Sequence, residues 1–229
     1  MKKRVLVSIA HPDDEVLGCG GTIAKHIGQG DEVFCIAMTD GVGARMLKKN
    51  TRVINERKKA ALNASKKLGF EWLYDCCENF PDNGLDSIKL LDIIRVIEKA
   101  KKKINPHIVY THDFNDLNID HKLVSDATMT AFRPHEGEIC ESIFAIEIPS
   151  ASDYGAYKNS LNFSPNHYVD ISKTWTKKFN ALKCYREEMK KYPNSRSVKG
   201  LEILAKYRGT QVGMHKAEAF KVLRQLSRK

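Results

Sequence analysis

No stretch of this sequence assembles the roughly 20 consecutive apolar residues that a membrane-spanning helix requires. The first apolar segment, residues 4–10, is too short for that role and is followed by no cleavage signal, so neither a membrane anchor nor an export leader is expected. Cys-x-x-Cys spacing is also missing. The six cysteines (Cys19, Cys35, Cys76, Cys77, Cys140 and Cys184) offer neither a zinc knuckle nor a disulfide framework. The glycines after the first apolar segment, Gly18-Cys19-Gly20-Gly21, do not give the Gly-x-Gly-x-x-Gly spacing of a dinucleotide site. Internal repeats, low-complexity tracts and long linkers are absent as well. A single cytosolic (cytoplasmic) domain spanning residues 1–229 is expected, with its motif-bearing core at about 4–132.

Acidic residues are the scarcer charge: 38 Lys and Arg face 28 Asp and Glu, for a net charge of +10. No DNA- or RNA-binding motif accompanies the excess, which falls in patches such as 99–103 and 177–191, the pattern of solvated helix faces. Nucleic acid and membrane are therefore not expected partners, and the positive field favours a small anionic substrate. Oligomeric state is left open, a homo-oligomer included.

Strand-length apolar runs alternate with helical segments, which predicts an α/β fold: a Rossmann-like, doubly wound, mostly parallel sheet with helices on both faces. Strands are expected at 5–10, 32–39, 71–74, 107–111, 143–148 and 168–171. Helices are expected from the first strand to about Gly28, then at 53–68 (closed by Gly69), 87–102, 121–132, 174–190 and 197–207.

The chemistry concentrates at two points. His11-Pro12-Asp13-Asp14-Glu15 closes the first strand, and open parallel sheets bind ligands beyond the carboxyl ends of their strands. With a helix beginning around Pro12, His11 and Asp14 stand three residues apart and can face one point. Imidazole with carboxylate suits Zn²⁺ or another divalent transition metal, and a catalytic zinc takes three protein ligands. The best source of the third is the loop from His112 to His121, where five of ten residues are Asn or Asp. Either segment alone reads equally well as a polar turn. Two such loops on one rim are harder to dismiss.

These motifs, together with Gly18, Gly20 and Gly21 and the distant Asn118-Ile119-Asp120-His121, resemble the PIG-L/LmbE family of zinc-dependent N-deacetylases. That family includes enzymes acting on N-acetylglucosamine linked to inositol or malate. The resemblance covers 5–131 and continues more weakly through Val169-Asp170-Ile171 and Glu218-Ala219-Phe220. It implies a zinc-dependent hydrolase that removes an N-acyl group, acetyl foremost, from an amino sugar such as an N-acetylglucosamine derivative. It implies His11, Asp14 and His121 as metal ligands, Asp13 as general base, and Arg57 as a contact to substrate hydroxyls. The alternative for Arg57 is a solvated helix residue beside Arg52, Lys58 and Lys59.

One departure matters. Many members carry His-Pro-Asp-His in the second motif, and Asn118 stands where the first histidine would be. An amide donates a hydrogen bond but does not transfer a proton. Asn118 is then expected to orient the carbonyl, while Asp13 returns the proton to the amine or His112 serves as the acid. Asp120 is expected to fix Asn118 or to stand behind the metal. Residues 132–138 and 149–157 are expected to rim the substrate site. The competing readings are an amidase of the same family on a non-sugar or larger N-acyl conjugate, and a nucleotide-binding module. Asp13, Asp14 and Glu15 oppose the latter, because they would repel a pyrophosphate at that helix start.

Overall fold

In β1 (Arg4–Ile9), Val5, Val7 and Ile9 turn to one face and Leu6 to the other, and all four are fully buried. A strand covered on both faces is the mark of a parallel sheet sandwiched by helices. The computed structural model describes residues 2–45, 50–154 and 163–227. After β1 come α1 (Asp14–Gly28), β2 (Glu32–Ala37), α2 (Thr51–Leu68), β3 (Glu71–Trp72) and α3 (Leu90–Ile104). They are followed by β4 (Ile108–His112), α4 (Ile119–Ala131), β5 (Ser142–Ile146) and β6 (His167–Asp170). The chain closes with α5 (Trp175–Leu182), α6 (Val198–Thr210) and β7 (Ala217–Gln225).

Seven strands form one sheet in the order β3-β2-β1-β4-β5-β7-β6. Every pairing is parallel except those of β7, which runs antiparallel to both β5 and β6. Helices α1, α2 and α5 contribute to the apolar core on one face, and α3 and α4 to the core on the other. The expected doubly wound, mostly parallel sheet is present. Among the described residues no helix is long and apolar enough to cross a membrane, and Cys19, Cys35, Cys77 and Cys140 are buried free thiols.

Local chemistry sets the helix limits. Asn50 caps α2 by accepting the N–H groups of Arg52 and Val53, which starts the helix two residues before the expected position. Gly69, at φ +92°, ends it. Two expectations need correction. The helix expected over 174–190 stops at Leu182, after which tight turns draw Tyr185 and Glu188 into the interior. Strand β7 was not expected at all, because the buried Glu218 near its start breaks the apolar pattern.

Glu218 has a structural reason to be there. Helix α1 kinks at Cys19, and the Glu218 carboxylate accepts the N–H groups of Gly21 (2.9 Å) and Thr22 (2.7 Å) beyond the kink. It also accepts the Thr22 hydroxyl at 2.6 Å and pairs with the buried Lys178 at 2.6 Å. Glycine is required at position 21, where a Cβ would stand 2.7 Å from Ile171. The C-terminal segment is thus tied to the first helix. Glu218→Ala is expected to destabilise the fold by about 3–5 kcal/mol in chemical denaturation, since it strands a buried ammonium. Adding Lys178→Met should recover part of that loss. A single variant as stable as the parent contradicts this role.

Candidate active site

Strands β1 and β4 are neighbours, with Val5 opposite Ile108, and from them the sheet order departs in opposite directions. This switch point opens a crevice at the carboxyl ends of the two strands. The loop after β1 brings His11, Asp13 and Asp14 to it, and the loop after β4 brings Asp116, Asn118 and His121. The Ala10 N–H donates to His112 Nε2 at 2.9 Å and locks the two loops together.

Three side-chain atoms converge there. His11 Nδ1 lies 3.2 Å from Asp14 Oδ2 and 3.2 Å from His121 Nε2, and the last two are 3.4 Å apart. Ligand atoms around a tetrahedral zinc at 2.0–2.1 Å are about 3.3 Å from one another. The remaining ring nitrogens meet carboxylates: His121 Nδ1 with Asp116 at 2.8 Å, and His11 Nε2 with Asp82 at 3.2 Å and Asp120 at 3.3 Å. With those carboxylates accepting the outer ring N–H groups, neutral His11 and His121 rings would turn their inner lone pairs toward each other and toward Asp14. Such an arrangement is repulsive until positive charge enters it. Asp14 Oδ1, buried without a hydrogen-bond partner, leaves a further lone pair unanswered. The donor set fits a divalent cation.

The ionisation tendencies agree. Burial pulls His11 down, yet its hydrogen bonds to Asp120, Asp14 and Asp82 outweigh that and raise it well above the usual histidine value. Burial pushes Asp14 up, but His121, His11 and His112 hold it well below the ordinary carboxylate range. The cluster draws positive charge into itself. His112 is different. It is fully buried, stacks on His121 with ring centroids 3.8 Å apart, and spends its Nε2 on the Ala10 N–H. Burial and the neighbouring His121 depress it well below the usual value, and it is not among the residues lining the cleft beside the cluster.

Beside the cluster opens a cleft of about 350 Å³ whose lining includes His11, Asp13, Arg57, Asp82, Asn118 and Arg196. Asp13 sits at the helix N-cap position with φ 140°, a conformation unfavourable for any residue with a Cβ, and its side chain caps nothing. Its N–H donates to Glu15 Oε2 at 2.9 Å, and Tyr185 hydrogen-bonds Glu15 Oε1 at 2.6 Å. Arg57 donates to the Pro12 carbonyl at 2.7 Å, approaches Asp13 at 3.6 Å and pairs with Glu188. Arg196 reaches Asp13 at 3.5 Å from the other side. Burial pushes the Asp13 carboxyl up to about 6, with Arg196 and Arg57 opposing and Asp14 reinforcing the shift.

The sequence-derived candidates therefore meet at one place. Arg57 is buried rather than solvated. Asn118 lines the cleft, and its Oδ1 caps α4 by accepting the Asp120 N–H at 2.8 Å, which leaves its NH₂ group to donate. The Asp120 carboxylate does not touch Asn118; it accepts the N–H groups of Asn83 and Leu85 and faces His11. Asp82, Asp116, Tyr185, Glu188 and Arg196 were not anticipated. Only Asp116 carried a signal, standing five residues before His121 in the acid-rich loop. The segment 132–138 is not a rim: Glu138 pairs with Lys101 at the C-terminal end of α3, and Glu141 bonds His107, at the opposite end of the sheet. Helix α4 carries the chain away from the crevice before that segment begins. Of 149–157, Ser150 and Ala151 line a chamber adjoining the cleft, whereas 155–157 lie outside the described residues.

A family model described as GlcNAc-PI de-N-acetylase (PIG-L) matches residues 6–132. An Escherichia coli protein described as the uncharacterized deacetylase YaiS is 29% identical over 191 residues, covering 81% of this chain and 91% of that protein. The 4-oxalmesaconate hydratase of Pseudomonas putida is 25% identical over 216 residues, covering 80% and 73%. The solved N,N'-diacetylchitobiose deacetylase of Pyrococcus horikoshii shares the fold, with a TM-score of 0.74 at 21% identity over 97% of this chain and 84% of that one.

The carboxylates behind the histidines generate a prediction. Asp116→Ala removes the acceptor that orients His121 and is expected to weaken divalent-metal affinity about 10–100-fold in a chelator competition, with the fold intact. Unchanged affinity contradicts the assignment of Asp116.

Proposed function

The chain belongs to the PIG-L family described as GlcNAc-PI de-N-acetylase, and on that premise we propose that it hydrolyses the N-acetyl amide of an amino sugar, an N-acetylglucosamine derivative foremost. The arrangement that carries this reading is Asp13 in the cleft, directly beside the convergent His11, Asp14 and His121. Those three would hold the metal, zinc being the ion that best suits two imidazoles and a carboxylate. Such an ion, when bound, supplies Lewis acidity toward a carbonyl oxygen and a water molecule.

The chain's own residues do the rest. Asp13 accepts the proton of the attacking water as the new C–O bond forms at the amide carbon. It then delivers that proton to the amine nitrogen as the C–N bond breaks, giving acetate and the free amino sugar. Arg57 and Arg196 hold its carboxylate in place, and Arg57 pins the preceding carbonyl. Asn118 offers its amide NH₂ to the developing oxyanion and contributes no titrating group. Arg57, in the cleft wall, is the candidate contact to sugar hydroxyls. One relative is described as a hydratase, and acetate release separates that reaction from deacetylation.

Asp13→Asn is expected to retain metal and lose about 10²–10⁴-fold in turnover. Because Asp13 must be ionised to accept a proton, kcat/KM in the parent should fall on the acid side, with an apparent pKa that belongs jointly to Asp13 and the metal-bound water. Asn118→Ala should lower turnover by a pH-independent factor of about 10–10³. The measurement is acetate release from free, nucleotide-linked and glycoside-linked N-acetylglucosamine across pH. Near-normal activity of Asp13→Asn at saturating metal excludes Asp13 as the base.

A further inference from the structure

The peptide that joins Pro12 to Asp13 is clamped on both sides. Its carbonyl accepts from Arg57 Nη1 at 2.7 Å, and its N–H donates to Glu15 Oε2 at 2.9 Å. Rotation of this peptide is the movement that would release Asp13 from φ 140° into an ordinary conformation. Neither clamp stands alone. The Tyr185 hydroxyl donates to Glu15 Oε1 at 2.6 Å, and the Glu188 carboxylate pairs with Arg57. Both partners come from one tight turn after α5, in which the Glu188 N–H bonds the Tyr185 carbonyl at 3.0 Å. The Tyr185 ring also backs Arg57, with its centroid 5.9 Å from Cζ.

We propose, on the reading of Asp13 as the base, that Tyr185 is a positioning residue: through Glu15 it fixes the 12–13 peptide and so aims the Asp13 carboxylate into the cleft. Tyr185 is buried and is not among the residues lining the cleft, so it acts on the reaction only through others. A hydrogen-bonded pair that served stability alone would let the backbone it touches relax. This one holds that backbone in a costly conformation, at the one residue whose side chain needs a fixed direction. A displacement of about 1 Å at a reacting group costs on the order of 10²-fold in rate, so a loosened peptide is read directly in turnover.

The test is a double-mutant cycle on acetate release from N-acetylglucosamine substrates by the zinc-reconstituted protein. Tyr185→Phe keeps the ring and removes only the hydroxyl. It should lower kcat about tenfold or more, with KM and bound metal unchanged. In an Asp13→Asn background the same change should cost no further activity, because the carboxylate that Tyr185 aims is gone. Parent-like kcat in Tyr185→Phe, or a loss that multiplies in full with that of Asp13→Asn, overturns the proposal. Glu15→Gln, whose amide still accepts from the Asp13 N–H and donates to the Tyr185 oxygen, should retain most of the parent kcat; a loss as deep as that of Asp13→Asn overturns the relay. If the parent releases no acetate from any substrate, the deacetylase reading fails instead. Hydrogen exchange of the Asp13 amide, followed by NMR, then decides the positioning role alone. Exchange about tenfold faster in Tyr185→Phe, with the amides of α4 unchanged, supports it, and equal exchange overturns it.

Discussion

Two imidazole nitrogens and a carboxylate oxygen, each about 3.2–3.4 Å from the others, point into a space from which solvent is largely excluded. With both rings neutral, that arrangement sets lone pair against lone pair. It holds because Asp82, Asp116 and Asp120 fix the outer nitrogens of both rings, and because a cation between the inner atoms would satisfy every donor at once. The sheet order serves this geometry. With β1 and β4 side by side, residues 110 positions apart in sequence meet across one crevice. The overall charge of +10 says nothing about this spot, which is the most acid-rich part of the molecule's interior.

Asp13 depends on the C-terminal third of the chain. Its backbone conformation is costly, and its N–H is caught by Glu15, which Tyr185 holds in turn. Burial pushes the Glu15 carboxyl up to about 8, against the hydrogen bonds from Tyr185 and the Asp13 N–H that favour its charged form. Arg196 and the Glu188–Arg57 pair brace the Asp13 side chain. The Glu218 carboxylate anchors β7 to the helix that begins beside Asp13. The motif-bearing half supplies the donors, and the rest of the chain keeps them in register.

Much of this was legible in advance. Apolar runs of strand length announced the parallel sheet, and the three-residue step from His11 to Asp14 placed two donors on one helix start. Family resemblance, rather than spacing, singled out His121 among the acids and histidines of its loop. What stayed hidden depends on tertiary contacts. Asp82 and Arg196 sit in stretches whose local pattern is that of ordinary polar turns, and only folding brings them to His11 and Asp13. Strand β7 was masked by its buried Glu218, whose partners lie about 200 residues earlier. The misplacement of 132–138 arose because periodicity reports that α4 exists but not which way it carries the chain.

The central claim is that His11, Asp14 and His121 share one metal ion. X-ray absorption spectroscopy of the zinc-reconstituted protein tests it directly. The account predicts a first shell of nitrogen and oxygen at about 2.0–2.1 Å with the outer-shell scattering of two imidazoles, one of which disappears in His121→Ala. A shell containing sulfur at about 2.3 Å, or one that keeps both imidazoles in His121→Ala, would contradict it.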